Sequence, residues 1–169
     1  MNTLTSISGI NEENVKTAFK SPSQNKHHNQ SRFFYTVGLF NFLLEESIKV
    51  ENLYEFTVNS VPSAPEWCSG VTSIRGDIMP VVNMHVFLKT GIRITSRKKK
   101  LIMLKHKNHA PIVFEIDKLP EVIFPHHYTT MKAPDKAPLW LKKVLINKNN
   151  TLYQINHSQL LEQLKNSQI

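Results

Sequence analysis

Residues 61–91 read VPSAPEWCSGVTSIRGDIMPVVNMHVFLKTG. Pro62 and Pro65 brace a loop, Val71 to Ile74 reads as a strand, and Arg75-Gly76-Asp77 makes a tight turn. Ile78 to Val82 supplies a second strand, and a short helical turn follows, ended by Gly91. Gly-Asp beside alternating apolar residues is a hairpin signal, because glycine takes the positive φ that such turns need. Arg75 is thereby placed at a hairpin tip, next to the most buried-looking strands of the chain.

Outward from that hairpin the apolar runs stay short and rich in β-branched and aromatic residues. They are RFFYTVGLF, SIKVENLYEFTV, LIMLK, PIVFEI, EVIF, KVLI and TLYQI, separated by polar or Pro-containing breaks. With VTSI and IMPVV they make about nine segments, a pattern of a mainly β, barrel-type fold rather than an alternating α/β one. The connections are too short for parallel βαβ units. Leu101 to Phe124 echoes the first half: strand, break at His106 to Ala110, strand, turn at Asp117-Lys118, strand.

The two ends differ from this body. Val15, Ala18 and Phe19 fall at i, i+3, i+4 in INEENVKTAFK (10–20), which predicts a short amphipathic helix. SPSQNKHHNQS (21–31) has no apolar anchor and reads as a flexible linker, so residues 1–31 precede a folded module spanning 32–164, with 165–169 as a tail. Within the module, Asn156 three residues before Gln159 marks a capping start, and Leu160, Leu161 and Leu164 form a stripe, predicting a closing helix of about ten residues.

Composition excludes several classes. The 169 residues suffice for a real core, and no run approaches the ~18 apolar residues of a membrane-spanning helix, so no membrane insertion is expected. MNTLTSISGINEEN has neither a basic nor an apolar signal region, and cytosolic residence is the expectation. Cys68 is the sole cysteine, which rules out an internal disulfide or a thiolate metal cluster and favours a structural, half-buried thiol. The net charge of +8 favours acidic partners. Its densest run, Arg97-Lys98-Lys99-Lys100 within Arg93 to Lys107, reads as a solvated loop entering a strand.

The search for catalytic chemistry is mostly negative. No GxGxxG, GxxxxGKS, HExxH, GxSxG or CxxC occurs, so no cofactor and no catalytic residue is assigned. His27-His28 and His126-His127 are adjacent pairs whose side chains diverge in extended backbone, and neither has a third ligand at a useful spacing. Glu115 and Asp117 alternate on one side of a strand, as the exposed face of an edge strand would show. Trp67, Trp140 and Phe87 lack the clustered arginines of a base-stacking platform and are expected in core or interface packing.

The opening stretch resembles the signature of CheW-like domains, where Gly-Val-x-x-Leu/Val-Arg-Gly leads into Pro-Val-x-Asp-Leu. The matching residues are Gly70, Val71, Ile74, Arg75, Gly76, Pro80, Val81, Asn83 and Met84. Trp67 and Phe87-Leu88 are similar to the PilI branch, the adaptors of type IV pilus chemosensory systems. The sequence departs from the pattern at Thr72-Ser73, at Asn83 in place of Asp, and at Lys89-Thr90. Ile155 to Leu161 is a looser version of the family's C-terminal Leu-x-Asp-x-x-x-Leu-Leu.

The resemblance implies two intertwined SH3-like five-stranded β-barrel subdomains packed along an apolar seam, with Leu101 to Phe124 in the second, and a short C-terminal helix. It implies a non-catalytic adaptor that tethers a CheA-type histidine kinase, through that kinase's own CheW-like domain, to the cytoplasmic tip of a chemoreceptor. The output would be type IV pilus twitching motility, in receptor arrays at the membrane. Gly70 and Arg75 would lie near the receptor groove, with Gly76 and Pro80 shaping the motif. The family's receptor-contacting Val-x-Glu element falls on Val50 and Asn52 if apolar positions are aligned, or puts Glu51 on the acidic position if aligned without gaps back from Arg75. The first is preferred because it keeps Val50 and Leu53 in one apolar set; a one-residue slip reverses the faces. Arg75→Ala or Gly70→Asp is then expected to uncouple receptor from kinase and leave the domain folded. Two other classes fit the composition: a basic small-barrel nucleic-acid binder, and a structural part of a pilus machine. Neither explains the sequence around Arg75, so no nucleic acid is expected.

Overall fold

The computed structural model describes residues 31–91 and 99–167. The helix expected over 10–20, the linker with its His27-His28 pair and the basic segment 92–98 lie outside the described residues. In chain order the strands are β1 Arg32–Val37, β2 Phe40–Leu43, β3 Lys49–Leu53, β4 Cys68–Ile74, β5 Asp77–Asn83, β6 Lys100–Lys105, β7 Ile112–Ile116, β8 Lys118–Ile123, β9 Thr129–Lys132, β10 Leu141–Ile146 and β11 Thr151–Ile155. Helix α1, Met84–Phe87, follows β5; helix α2, His157–Asn166, follows β11; a 3-10 turn at Pro125–His127 separates β8 from β9.

The strands form two sheets, ordered β8-β1-β2-β11-β10-β9 and β3-β6-β7-β5-β4. The fold is therefore mainly β, but one sheet has six strands rather than five. The halves of the chain also do not map onto the sheets. Leu101 to Ile116, expected in a second barrel, is β6 and β7, which sit at the centre of the sheet begun by β3; only β8 crosses over, to pair with β1. The echo in sequence reflects similar strand chemistry, not a shared sheet. Two ladders are parallel, β2 with β11 and β5 with β7, each linking strands separated by intervening antiparallel strands rather than by a crossover helix.

The unbroken apolar runs have a physical cause. Along β6, Leu101 and Met103 face one cluster with Met79, Val81 and Val113, while Ile102 and Leu104 face another with Tyr35, Phe42 and Phe114. Along β1, β10 and β11, Phe34, Leu145 and Leu152 face a third cluster, while Tyr35, Val144 and Tyr153 face the second. Side chains alternate across a strand, so a strand between an inner core and the seam buries both faces and loses its polar alternation. The second cluster is that seam: it takes residues from both sheets and from α2.

Helix α2 closes the seam as its sequence predicts. The Asn156 side chain accepts the Gln159 N–H at 3.1 Å, and Leu160, Leu161 and Leu164 are buried. The reciprocal half of the capping box is not formed, because the Asn156 N–H donates to the Trp140 carbonyl. Trp67 and Trp140 both lie in the seam, and the Trp67 indole N–H reaches the Ser167 carbonyl at 3.4 Å.

Candidate functional site

The turn between β4 and β5 has two central residues, with Ile74 paired to Asp77. Both have positive φ, 55° at Arg75 and 91° at Gly76, the pattern of a type I′ turn. Gly76 adopts it freely, whereas Arg75 pays a Cβ clash of about 1–2 kcal/mol. The reading from Gly-Asp placed the turn correctly but missed that the arginine carries the strain. That backbone aims its side chain at β3: Nη2 of Arg75 lies 2.5 Å from Oε1 of Glu51, and Nζ of Lys105 lies 3.7 Å from Oε2. Since β3 and β4 are the outer strands of the five-stranded sheet, the pair joins its two edges and the sheet is curled upon itself.

Gly70 does a different job. It is buried with φ 139°, and a Cβ added there would lie 2.2 Å from the carbonyl oxygen of Asn59. That oxygen accepts the Val71 N–H while the Asn59 N–H donates to the Val71 carbonyl, each at 2.8 Å. Only a residue without Cβ lets this loop lie against β4. Gly70→Asp therefore does not leave the domain undisturbed, contrary to the sequence-based expectation. Because Val71 spends both backbone groups on Asn59, its pairing with Pro80 is a non-hydrogen-bonded one. The missing donor of Pro80 thus points away from β4, and the β7 ladder on that side begins only at Val81.

Val50 and Asn52 line a groove of about 570 Å³ between the two sheets, together with Phe33 of β1, Ile48 and Pro120 of β8. Glu51, between them, points the other way. The five expected contact residues thus divide into three places: Val50 and Asn52 in the groove, Glu51 and Arg75 in the pair across the sheet edges, and Gly70 inside. The expectation that Val50 and Leu53 share one apolar set fails. Three residues apart on a strand, they face opposite sides, Val50 packing on the seam and Leu53 on the interior of the five-stranded sheet.

The groove has a polar end that no sequence signal announced. Oε2 of Glu45 accepts the backbone N–H of His157 at 2.7 Å and its Nδ1–H at 3.0 Å, and Oε1 accepts Nζ of Lys142 at 3.3 Å. Burial alone would raise this carboxyl, but the hydrogen bonds from His157 and Lys142 outweigh it and hold the group at about 2. Burial pushes the wholly enclosed His157 imidazole below its ordinary value against the pull of Glu45, and its Nε2 is buried and unpartnered. The Tyr35 ring is 6.2 Å away, and its buried hydroxyl, also unpartnered, is pushed far up by burial. Glu45 and His157 are 112 residues apart, beyond the reach of any local pattern.

Glu115 of β7 and Asp117, in the turn after it, take different partners. Glu115 is buried, not on an exposed edge: β7 is flanked by β6 and β5, and Oε2 accepts Ser69 Oγ at 2.9 Å and Lys99 Nζ at 3.0 Å. Asp117 turns elsewhere. Its oxygens meet His85 Nε2 at 3.0 and 3.1 Å, one of them also accepts the Gly38 N–H, and His85 Nδ1 meets Thr90 Oγ1 at 2.9 Å. This hydroxyl–imidazole–carboxylate chain ties three loops together. The exposed rings of His126 and His127 do not diverge; the 3-10 turn brings their centroids to 3.8 Å. Cys68 is free and half-buried, its thiol 3.3 Å from the Gly70 carbonyl. Among the described residues no group of three or more His, Cys, Asp or Glu is placed to hold a metal ion.

The CheW-like domain family model matches residues 46–165. Among solved structures, the scaffolding protein TtCheW from Thermoanaerobacter tengcongensis superposes with a TM-score of 0.61 at 15% identity, over 76% of this chain and 90% of that one. No curated protein sequence matches.

Proposed function

We propose a function from one premise: the chain belongs to the CheW-like domain family, a family of non-catalytic chemotaxis scaffold proteins. The protein is an adaptor that couples the cytoplasmic tip of a chemoreceptor to a CheA-type histidine kinase through the kinase's CheW-like domain. Its folded module begins at 32 and runs through α2 to Asn166, two residues beyond the boundary expected from the sequence, with 1–31 before it. The likeness of Trp67 and Phe87-Leu88 to the pilus-type branch supports twitching motility as its output. Among the described residues no helix is long and apolar enough to cross a membrane; the protein works in the cytoplasm and is recruited to receptor arrays.

The observation that supports this reading best is the groove at the seam. It is apolar at Phe33, Ile48, Val50 and Pro120, and acidic at Glu45 and Glu46, the features of a slot for one face of an amphipathic helical hairpin. Val50 and Asn52 contact the receptor there, and Arg75 and Glu51 form the neighbouring charged contact. Gly70 acts by holding the Asn59 loop flat.

The test is a purified reconstitution with receptor hairpins and the kinase, with nuclease present, at low and high salt. Retention of both partners at both salt levels, and kinase activity that depends on the adaptor, is the expected result. Binding of nucleic acid alone, lost at high salt, overturns it in favour of the small-barrel alternative.

A further inference from the structure

We infer that the groove at the seam selects its partner by charge: it takes an amphipathic helix with a Lys or Arg beside its apolar face, and Glu46 is the residue that reads that cation. The inference deepens the adaptor reading and rests on it for the identity of the partner.

The groove is the open end of the seam. Tyr35 of β1 is wholly buried in the seam cluster, whereas Phe33, two residues earlier and so on the same face, is 51% exposed. Phe33 is directly paired with Val122 of β8, which is 52% exposed, and Phe124, also half open to solvent, continues that face. Val50 of β3 packs on the seam cluster and lines the groove from the other sheet. A strip of this kind beside a concave site marks an interaction surface. Its width and apolar walls suit the apolar edge of one helix.

Three charged residues line the groove among those described: Arg32, Glu45 and Glu46. Two of them are already committed. The oxygens of Glu45 accept from the His157 N–H, from its Nδ1–H and from Lys142. Arg32 is half-buried, and its Nη2 donates to the Leu44 carbonyl at 2.6 Å. Glu46 is the open one: its side chain is 68% exposed, and Nη1 of Arg32 lies 4.0 Å away, at the outer limit of an ion pair. A carboxylate at the lip of an apolar slot accepts two hydrogen bonds from an arginine, or one charge-assisted bond from a lysine.

The sign of this charge matters because the chain as a whole carries +8. Most of the surface repels a basic helix, and Glu46 is where such a helix gains. A helix with Asp or Glu at the matching place is drawn to the protein at long range and rejected at the groove, so one residue supplies both the attraction and the discrimination. A charge at the rim acts mainly on the association rate and its salt dependence.

The test measures binding of the full chain to the purified helical hairpin from a chemoreceptor's cytoplasmic tip, and to a set of hairpins in which each Lys or Arg is replaced in turn by Glu. Glu46→Lys is expected to bind the unaltered hairpin about five-fold more weakly at low salt, with the difference shrinking at high salt. Glu66→Lys, which makes the same charge change at an exposed loop residue outside the groove, is expected to stay within about two-fold of wild type. One of the reversed hairpins is expected to bind Glu46→Lys as tightly as wild type binds the unaltered hairpin. Equal losses in Glu46→Lys and Glu66→Lys, or no reversal that restores binding, overturn the inference and leave the adaptor reading standing. Failure of the wild type to bind any hairpin overturns both.

Discussion

Arg75 and Glu51, 24 residues apart, meet at 2.5 Å and tie the two outer strands of one sheet together. The Arg75 side chain is 68% exposed, and an ion pair so open to water contributes at most about 1 kcal/mol. On the proposed function, its role is in position rather than stability. Arg75→Gly removes the pair but also relieves the left-handed strain, so its unfolding free energy is expected within about 1 kcal/mol of wild type. Receptor-dependent kinase activation is expected to fall at least ten-fold. Chemical denaturation and a coupled phosphorylation assay check the two halves; a folded variant with full coupling removes Arg75 from the docking surface.

Gly70→Ala is expected to cost about 3 kcal/mol or more. It adds a Cβ at 2.2 Å from the Asn59 oxygen on a backbone with φ 139°, combining strain with a clash against main chain. Urea denaturation of the purified variant measures this. A loss below 1 kcal/mol would mean that the Asn59 loop moves freely.

Acid should weaken the fold in two steps. The His157 imidazole sits below its ordinary value, so the unfolded chain takes up its proton first, and stability declines as pH falls below about 6.5. Glu45, held at about 2 against a usual 4.5, adds stability that is present above 4.5 and lost as pH falls toward 2. The urea midpoint is expected to drop between pH 7.5 and 5 and again below 4.5. Glu45→Gln is expected to remove most of the second drop.

The seam should be costlier to damage than either inner core. Phe114 contacts residues of both sheets and is wholly buried, so Phe114→Ala is expected to cost about 3–5 kcal/mol, read from thermal or urea unfolding. Leu164→Ala, at the far end of α2, is expected to cost about 2–5 kcal/mol and to raise amide exchange in α2. If α2 stays protected, the helix is not held by its leucine stripe.

Local chemistry was the legible part of the sequence. Gly76 announced the hairpin, and Asn156 with Leu160, Leu161 and Leu164 announced the closing helix, because turns and caps act over a few residues. RFFYTVGLF hid a hairpin between β1 and β2, and Thr129–Lys132 carried too little apolar signal to be read as β9. Strands buried on both faces lose alternation, and the half-buried β3 gave no sign that Val50 and Leu53 face opposite sides. Glu115 read as exposed because its partners, Ser69 of β4 and Lys99 just before β6, come from distant parts of the chain. His157 and Glu45 were illegible for the same reason.

The pairing of β2 with β11 has a consequence for synthesis. Asn41 and Thr151 are 110 residues apart, so at ~5–20 residues per second the ribosome needs roughly 5 to 20 s to supply the neighbour of β2. Through that interval Phe34 and Leu43 are made but lack Leu145 and Leu152, the residues that complete their core. The nascent chain is then a natural client for chaperones that shield apolar segments. Variants that slow the arrival of β11 are expected to lower yield in the cell more than they lower the stability of the finished protein.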